Sequence, residues 1–135
     1  LAELAPRLHW SPNIWMGVSV ESQDYVYRVI DLRQVPSAVR FRSIEPLLSR
    51  ISKIDLRGID WVIVGGESGP KSRPMDPDWV RVIRDLCLEK NLPFFFKQWG
   101  GATPKAGGNR LDGRRWMHYP AVEGRVDVGG DSRPT

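Results

Sequence analysis

Three glutamates and one lysine stand directly after short apolar runs, at intervals along the chain. Glu21 follows MGVSV, Glu45 follows RFRSI and Glu67 follows VIVGG, while Lys97 and Gln98 end the run PFFF. Carboxylates accept hydrogen bonds from hydroxyl and ammonium groups, and an ammonium group pairs with a carboxylate. These groups could together bind a small polar ligand, provided that the fold brings them together.

The runs before these groups are typical of strands in a parallel sheet. Strands are predicted over 13–20, 39–44, 60–66 and 93–98, and the third is almost continuously apolar. One helix is predicted between Ser22 and Pro36, and a second begins at Asp76, where Asp-Pro-Asp supplies a capping acid and a proline at the first helical position. This order predicts an α/β fold of parallel βα units over residues 1–104, followed by a partly ordered C-terminal tail over 105–135.

The carboxyl ends of parallel strands form one rim, which is where ligands and catalytic groups are found in such folds. An acid at a strand end is also common because strands end at the surface, but three acids and a lysine favour a site. No catalytic role is assigned to any of them. The candidate substrate- or cofactor-binding residues are Glu21, Ser22, Glu45, Gly65, Gly66, Glu67, Ser68, Lys97, Gln98 and Trp99.

Composition excludes several classes of protein. No apolar run approaches the roughly 20 residues of a membrane-spanning helix, and a single cysteine excludes an internal disulfide. A cytoplasmic protein without membrane contact is therefore expected. The net charge of +4 is compatible with nucleic-acid binding, although the arginines are dispersed among acids.

The remaining motifs give no established site. GGESGP lacks the glycine spacing of a dinucleotide-binding loop and the ending of a P-loop. His9 and His118 are far apart in the sequence, so no metal site is predicted. Cys87 lies on the apolar face of the second helix and is expected to be an inert core thiol.

Several long motifs occur together in this order: NIWMGVSVESQ, RFRSIEPLL, IDWVIVGGESGPKSRPMDPDWVRVIRDLC, PFFFKQWG and LDGRRW. They resemble the C-terminal half of a phage-associated protein family of unknown function, over about residues 10–118. Full-length members of that family carry a three-cysteine motif like that of radical S-adenosylmethionine (SAM) enzymes. They are often encoded beside a three-Cys-motif partner protein.

The resemblance implies a radical-SAM-like or TIM-like partial (β/α) barrel, of which this chain supplies the last strands. It implies SAM and a [4Fe–4S] cluster for the full-length protein, whereas this chain lacks the cysteine motif and is expected to bind no cluster and to be inactive alone. Two other hypotheses stay open: a noncatalytic nucleic-acid or phage–host interaction module, and a carboxylate- and Mg²⁺-dependent hydrolase. A partial barrel would also leave two unpaired strand edges, which favours self-association, unless the tail folds back on Trp116 and Tyr119.

Overall fold

The computed structural model describes residues 15–19, 36 and 39–121. Within these ranges the larger sheet contains four parallel strands in sequence order: β1 (Trp15–Ser19), β2 (Val39–Ile44), β3 (Trp61–Gly65) and β4 (Phe94–Gln98). This confirms the predicted α/β fold with a parallel sheet. Over the described residues the sheet is open, so the partial barrel stays a prediction. The helix predicted after Ser22 lies outside these residues, together with Glu21 and Ser22 themselves.

Helix α1 (Pro77–Glu89) connects β3 to β4 and begins where the sequence predicts. The Asp76 carboxylate accepts a hydrogen bond from the Asp78 N–H at 2.8 Å, and Pro77 occupies the first helical position, where no N–H is needed. The helix ends before Asn91, which adopts the left-handed conformation with φ 55°.

One face of the sheet, the core face, is buried against α1. Apolar side chains on β2, β3 and β4 alternate toward the helix, as the two-residue period of a strand requires. The fully buried members of this core are Ile44, Val62, Val64, Phe94 and Phe96 from the strands, with Val80, Ile83 and Cys87 from α1.

The opposite face, the open face, is only half-buried. It consists of Phe41, Ser43, Trp61, Ile63 and Phe95. Trp61 lies at its centre, with ring centroids of Trp15 and Phe41 each 5.9 Å away and that of Phe95 at 6.1 Å. Edge-on packing of these rings makes one end of the open face an aromatic layer.

The outer edge of β4 is paired with residues 116–118. The Phe96 N–H donates to the Trp116 carbonyl at 2.7 Å, and the His118 N–H donates to the Phe94 carbonyl at 3.1 Å. The expectation of an unpaired edge at β4 is therefore wrong, because the tail supplies an antiparallel segment whose backbone groups satisfy those of β4.

The two predicted tail anchors lie on opposite sides of the sheet. Trp116 packs on Phe94 in the core and is 4% exposed. Tyr119 contacts the rings of Trp61 and Phe95 on the open face, with centroid distances of 5.8 and 5.5 Å. The tail therefore folds back through side-chain packing on both faces as well as through backbone pairing.

A hairpin leads into this tail and is formed by β5 (Arg110–Leu111) and β6 (Arg114–Arg115). Asp112 and Gly113, the two turn residues, have φ angles of 52° and 80°. A two-residue turn with both φ angles positive is the type I′ turn that Asp-Gly favours. The hairpin lies within the segment that the sequence predicts only as a partly ordered tail, although Asp112-Gly113 is a typical hairpin turn sequence.

Arg42 is an exception in the core. It lies on β2 with 0% exposure, and none of its three side-chain nitrogens has a hydrogen-bond partner among the described residues. Burial lowers the pKa of Arg42 to about 10, against the opposing effect of the Asp55 charge, so the guanidinium stays charged at neutral pH. A buried charge without a partner destabilises the folded state.

We therefore expect Arg42→Met to stabilise the protein. A side chain of similar length without charge removes the desolvation cost, and the free energy of unfolding should rise by about 1 to 4 kcal/mol in urea denaturation. Arg50→Met, at an exposed position, is the control and should change it by less than about 0.5 kcal/mol. A loss of stability in Arg42→Met would show that the guanidinium has a partner in solution.

Candidate functional site

Three of the four predicted charged groups lie at the same end of the sheet. Glu45 directly follows β2, Glu67 is the second residue after β3, and Lys97 is the next-to-last residue of β4. Because the three strands are parallel and adjacent, these positions share the carboxyl-end rim. Glu21, the fourth predicted group, lies outside the described residues.

Glu45 and Lys97 form an ion pair that reaches across β3. The Lys97 ammonium lies 3.1 Å from Oε2 of Glu45, and the Ser43 hydroxyl donates to Oε1 of the same carboxylate at 3.0 Å. Neighbouring strands lie about 4.8 Å apart, so the backbones of β2 and β4 are separated by roughly 10 Å. Two long side chains are needed to span that distance.

Gly65 lies beneath the pair and leaves room for it. A Cβ atom at this position would lie only 3.0 Å from Oε2 of Glu45. The middle strand therefore presents no side chain where the carboxylate crosses it. The pair rests on the open face, with the Lys97 side chain 53% exposed and that of Glu45 24% exposed.

The pairing of β3 with β4 shifts by one residue at this level. Val64 pairs with Phe96 but Gly65 pairs with Gln98, so Lys97 is the extra residue of a β-bulge. Bulges redirect side chains and are frequent beside functional sites. Lys97 lies on the open face, as its alternation with Phe95 requires, and the bulge brings Gln98 toward the loop that follows β3.

The loops after β3 and β4 approach each other through glycine backbone. A Cβ atom at Gly66 would lie 1.9 Å from the Trp99 carbonyl oxygen, and one at Gly100 would lie 2.2 Å from the Glu67 carbonyl oxygen. The Gly66 N–H donates to the Gln98 carbonyl at 2.9 Å and the Gly101 N–H to the Glu67 carbonyl at 3.1 Å. The two loops therefore continue the parallel ladder beyond the sheet.

Glu67 points away from the Glu45–Lys97 pair and binds Arg73. Its carboxylate accepts hydrogen bonds from the Arg73 backbone N–H at 3.1 Å and from the guanidinium at 2.6 Å. These hydrogen bonds from Arg73 lower the pKa of Glu67. The carboxylate closes the loop of residues 67–73. No sequence pattern predicts this role, because the partner lies six residues ahead in an irregular segment.

The other candidate residues of the rim hold the two loops together. The Gln98 amide donates to the Gly66 carbonyl at 3.1 Å and to the Ser68 hydroxyl at 3.4 Å. Trp99 packs its ring on Phe96, with centroids 4.8 Å apart, and its indole N–H donates to the Arg110 carbonyl at 2.7 Å. Trp99 thus attaches the loop after β4 to the hairpin.

Two further residues have structural surroundings. Cys87 is fully buried, and burial raises the pKa of its thiol to about 12, which fits the predicted inert core thiol. His118 is 5% exposed, its Nδ1 accepts a hydrogen bond from the Phe94 N–H at 3.4 Å, and its carbonyl accepts one from the Trp61 indole at 2.9 Å. His118 therefore fixes the tail to the sheet.

Neither a metal site nor a membrane helix is found in the part of the chain that the structure describes. In these residues no three histidine, cysteine or acidic side chains are grouped so that they could hold a metal ion. A search of the same residues finds no helix with the length and apolar character to cross a membrane.

Comparison with known proteins identifies the family. The sequence family described as a protein of unknown function (DUF5131) matches residues 1–120, and the chain belongs to it. No curated protein and no solved structure matches the chain. The phage association, the three-cysteine motif and the radical-SAM relation stay predictions from the sequence.

Gly66→Ala should strongly destabilise the protein, because the added methyl group would collide with the rigid Trp99 carbonyl. We expect the free energy of unfolding to fall by about 3 kcal/mol or more. Gly113→Ala is the control: nothing lies within 4 Å of its added Cβ, so only the positive φ costs energy, about 1 to 2 kcal/mol. Equal losses in urea denaturation would contradict the close approach of the loops.

Arg73→Met should return the pKa of Glu67 to its usual range, which NMR titration of the side-chain carboxyl would measure. The pKa of Glu67 is depressed in the folded state, so its contribution to stability is present above the unfolded pKa. That contribution is lost as the pH falls through the folded value. Lys71→Met, in the same loop, is the control and should leave the pKa of Glu67 low. An unchanged pKa in Arg73→Met would contradict the pairing.

Proposed function

We propose that this member of the DUF5131 family is part of a radical-SAM-like enzyme whose carboxyl-end rim binds SAM or a substrate with an amino-acid group. The observation that carries the proposal is the Glu45–Lys97 pair, held across Gly65 on the open face of a parallel sheet.

The topology supports this proposal. Connections between adjacent parallel strands are right-handed in nearly all proteins, and strands in sequence order then have all their connections on one face. Helix α1 lies on the core face, so in the proposed barrel the open face would form the interior. That face changes from an aromatic layer around Trp61 to a polar rim, as is usual in pockets for small ligands.

The chemistry of the pair suits a zwitterion. The methionyl group of SAM carries an ammonium and a carboxylate, which are complementary to Glu45 and Lys97 respectively. Each charge of the pair would then exchange its present partner for one on the ligand. Ribose hydroxyls would supply further donors for the Glu45 carboxylate, and Ser43 would keep that carboxylate in place.

The chain's own residues do not fit an iron–sulfur cluster. Cluster ligation requires several thiolates, whereas Cys87 is the one cysteine of the sequence and is buried with a raised thiol pKa. In this proposal the chain contributes ligand binding and positioning, and cluster ligation belongs to the longer proteins of the family that it resembles. The phage-associated role and the three-Cys-motif partner protein come from the same resemblance and form part of the proposal.

Isothermal titration with S-adenosylmethionine tests the binding site. We expect saturable binding that Glu45→Gln and Lys97→Met each weaken by about tenfold or more, the effect of losing one charge-assisted hydrogen bond. Methylthioadenosine, which lacks the amino-acid group, should bind equally weakly to all variants.

Glu89→Gln and Lys90→Met are matched controls, because both residues are exposed and precede the amino end of β4, away from the rim. Neither should change the affinity. Absence of binding to the unaltered protein, or equal affinity of the rim variants, would refute the proposal.

A further inference from the structure

We propose that the β5–β6 hairpin binds the phosphate backbone of a nucleic acid through Arg110 and Arg115. The two arginines are directly opposite each other in the antiparallel register, and both are exposed. Side chains at opposed positions have Cβ atoms about 5 Å apart, and like charges there destabilise the pairing. A phosphate anion between the two guanidinium groups would turn this repulsion into attraction. This inference does not depend on the proposed SAM site.

The acid within the hairpin does not neutralise these arginines. Asp112 pairs with Arg81 of α1 at 2.9 Å and also with Arg84. The Asp112 carboxylate is therefore neutralised by two arginines of the helix, and not by those of the hairpin. Neither Arg110 nor Arg115 has a carboxylate partner among the described residues, and Arg110 donates one hydrogen bond, at 3.2 Å, to the Gly113 carbonyl.

The backbone of the hairpin is packed against the rest of the fold, which sets the positions of Arg110 and Arg115 on it. Leu111 faces the core and is 1% exposed, and the guanidinium of Arg114 lies over the Trp116 ring, 4.8 Å from its centroid. These contacts pack one face of the hairpin against the hydrophobic core and Trp116. Arg110 and Arg115 are on the opposite face, since side chains alternate along a strand.

The surroundings favour a nucleic acid over an anionic membrane. Membrane-binding segments place apolar side chains beside their cations so that these can enter the lipid. The apolar residues of this segment, Leu111 and Trp116, are both buried. What remains at the surface is a pair of planar guanidinium groups with Lys105, also exposed and also without a carboxylate partner among the described residues. Guanidinium groups bind phosphate in a bidentate manner.

Fluorescence anisotropy with short single-stranded and double-stranded DNA tests the proposal. We expect binding that is insensitive to base sequence and that weakens steeply between about 50 and 200 mM salt. The double variant Arg110→Gln/Arg115→Gln should lose about tenfold or more in affinity, and the slope of log K against log salt should fall by about two. Its thermal stability should not decrease, because the variant removes a repulsion.

Arg50→Gln/Lys90→Gln removes the same net charge from two exposed positions outside the hairpin. This control should retain its affinity within about twofold and keep its salt slope. No binding by the unaltered chain, or equal losses in the two double variants, would refute a site at the hairpin. Binding to phosphatidylserine vesicles as strong as binding to DNA would assign the arginines to a lipid surface and refute the nucleic-acid proposal.

Discussion

The close backbone approach of the loops after β3 and β4 determines the geometry of the rim. Gly66 and Gly100 have no side chains, and so the two loops can extend the parallel ladder to Gly101 and place the carbonyls of Glu67 and Trp99 where a methyl group would otherwise lie. Because the ladder continues beyond the strands, the register of β3 with β4 is fixed on both sides of the bulge at Lys97. The lysine side chain then extends across Gly65 to Glu45. Any side chain at Gly66 would separate the loops and release the bulge.

The two faces of the sheet serve different purposes. The core face is filled by apolar residues from the strands and α1, and their burial stabilises the fold. The open face is half-buried and changes from aromatic rings to charged groups along the strands. The tail joins both faces, since Trp116 enters the core and Tyr119 covers part of the open face. Backbone pairing of residues 116–118 with β4 removes one of the two edges through which a sheet of this kind would associate.

The sequence predicted the strands and α1 because their signals are local: apolar runs, and a capping acid followed by proline. It also predicted that Glu45 and Lys97 share a rim, since the ends of parallel strands must meet. The sequence did not predict which groups the rim residues would pair with. The Glu67–Arg73 pair depends on how one irregular loop folds. The Glu45–Lys97 pair depends on the absence of a side chain at Gly65, which lies between them. Asp112-Gly113 is a local hairpin signal, but the pairing of the tail along β4 depends on contacts between segments about 20 residues apart, which no local pattern shows.

The hairpin and the rim are parts of one connected surface. The Trp99 N–H donates to the Gly108 carbonyl at 2.9 Å and its indole to the Arg110 carbonyl at 2.7 Å, so the segment that ends β4 also fixes the first strand of the hairpin. The Gly69 N–H in turn donates to the Gly101 carbonyl at 2.9 Å and joins the loop of Glu67 to the same segment. A polyanion held by Arg110 and Arg115 would therefore lie beside the carboxyl ends of β3 and β4. The cations near the rim differ in whether a carboxylate neutralises them. Lys97 and Arg73 each pair with a glutamate, whereas Arg110 and Arg115 have no carboxylate partner among the described residues. In the proposed interaction these two arginines would attract an external anion toward the rim.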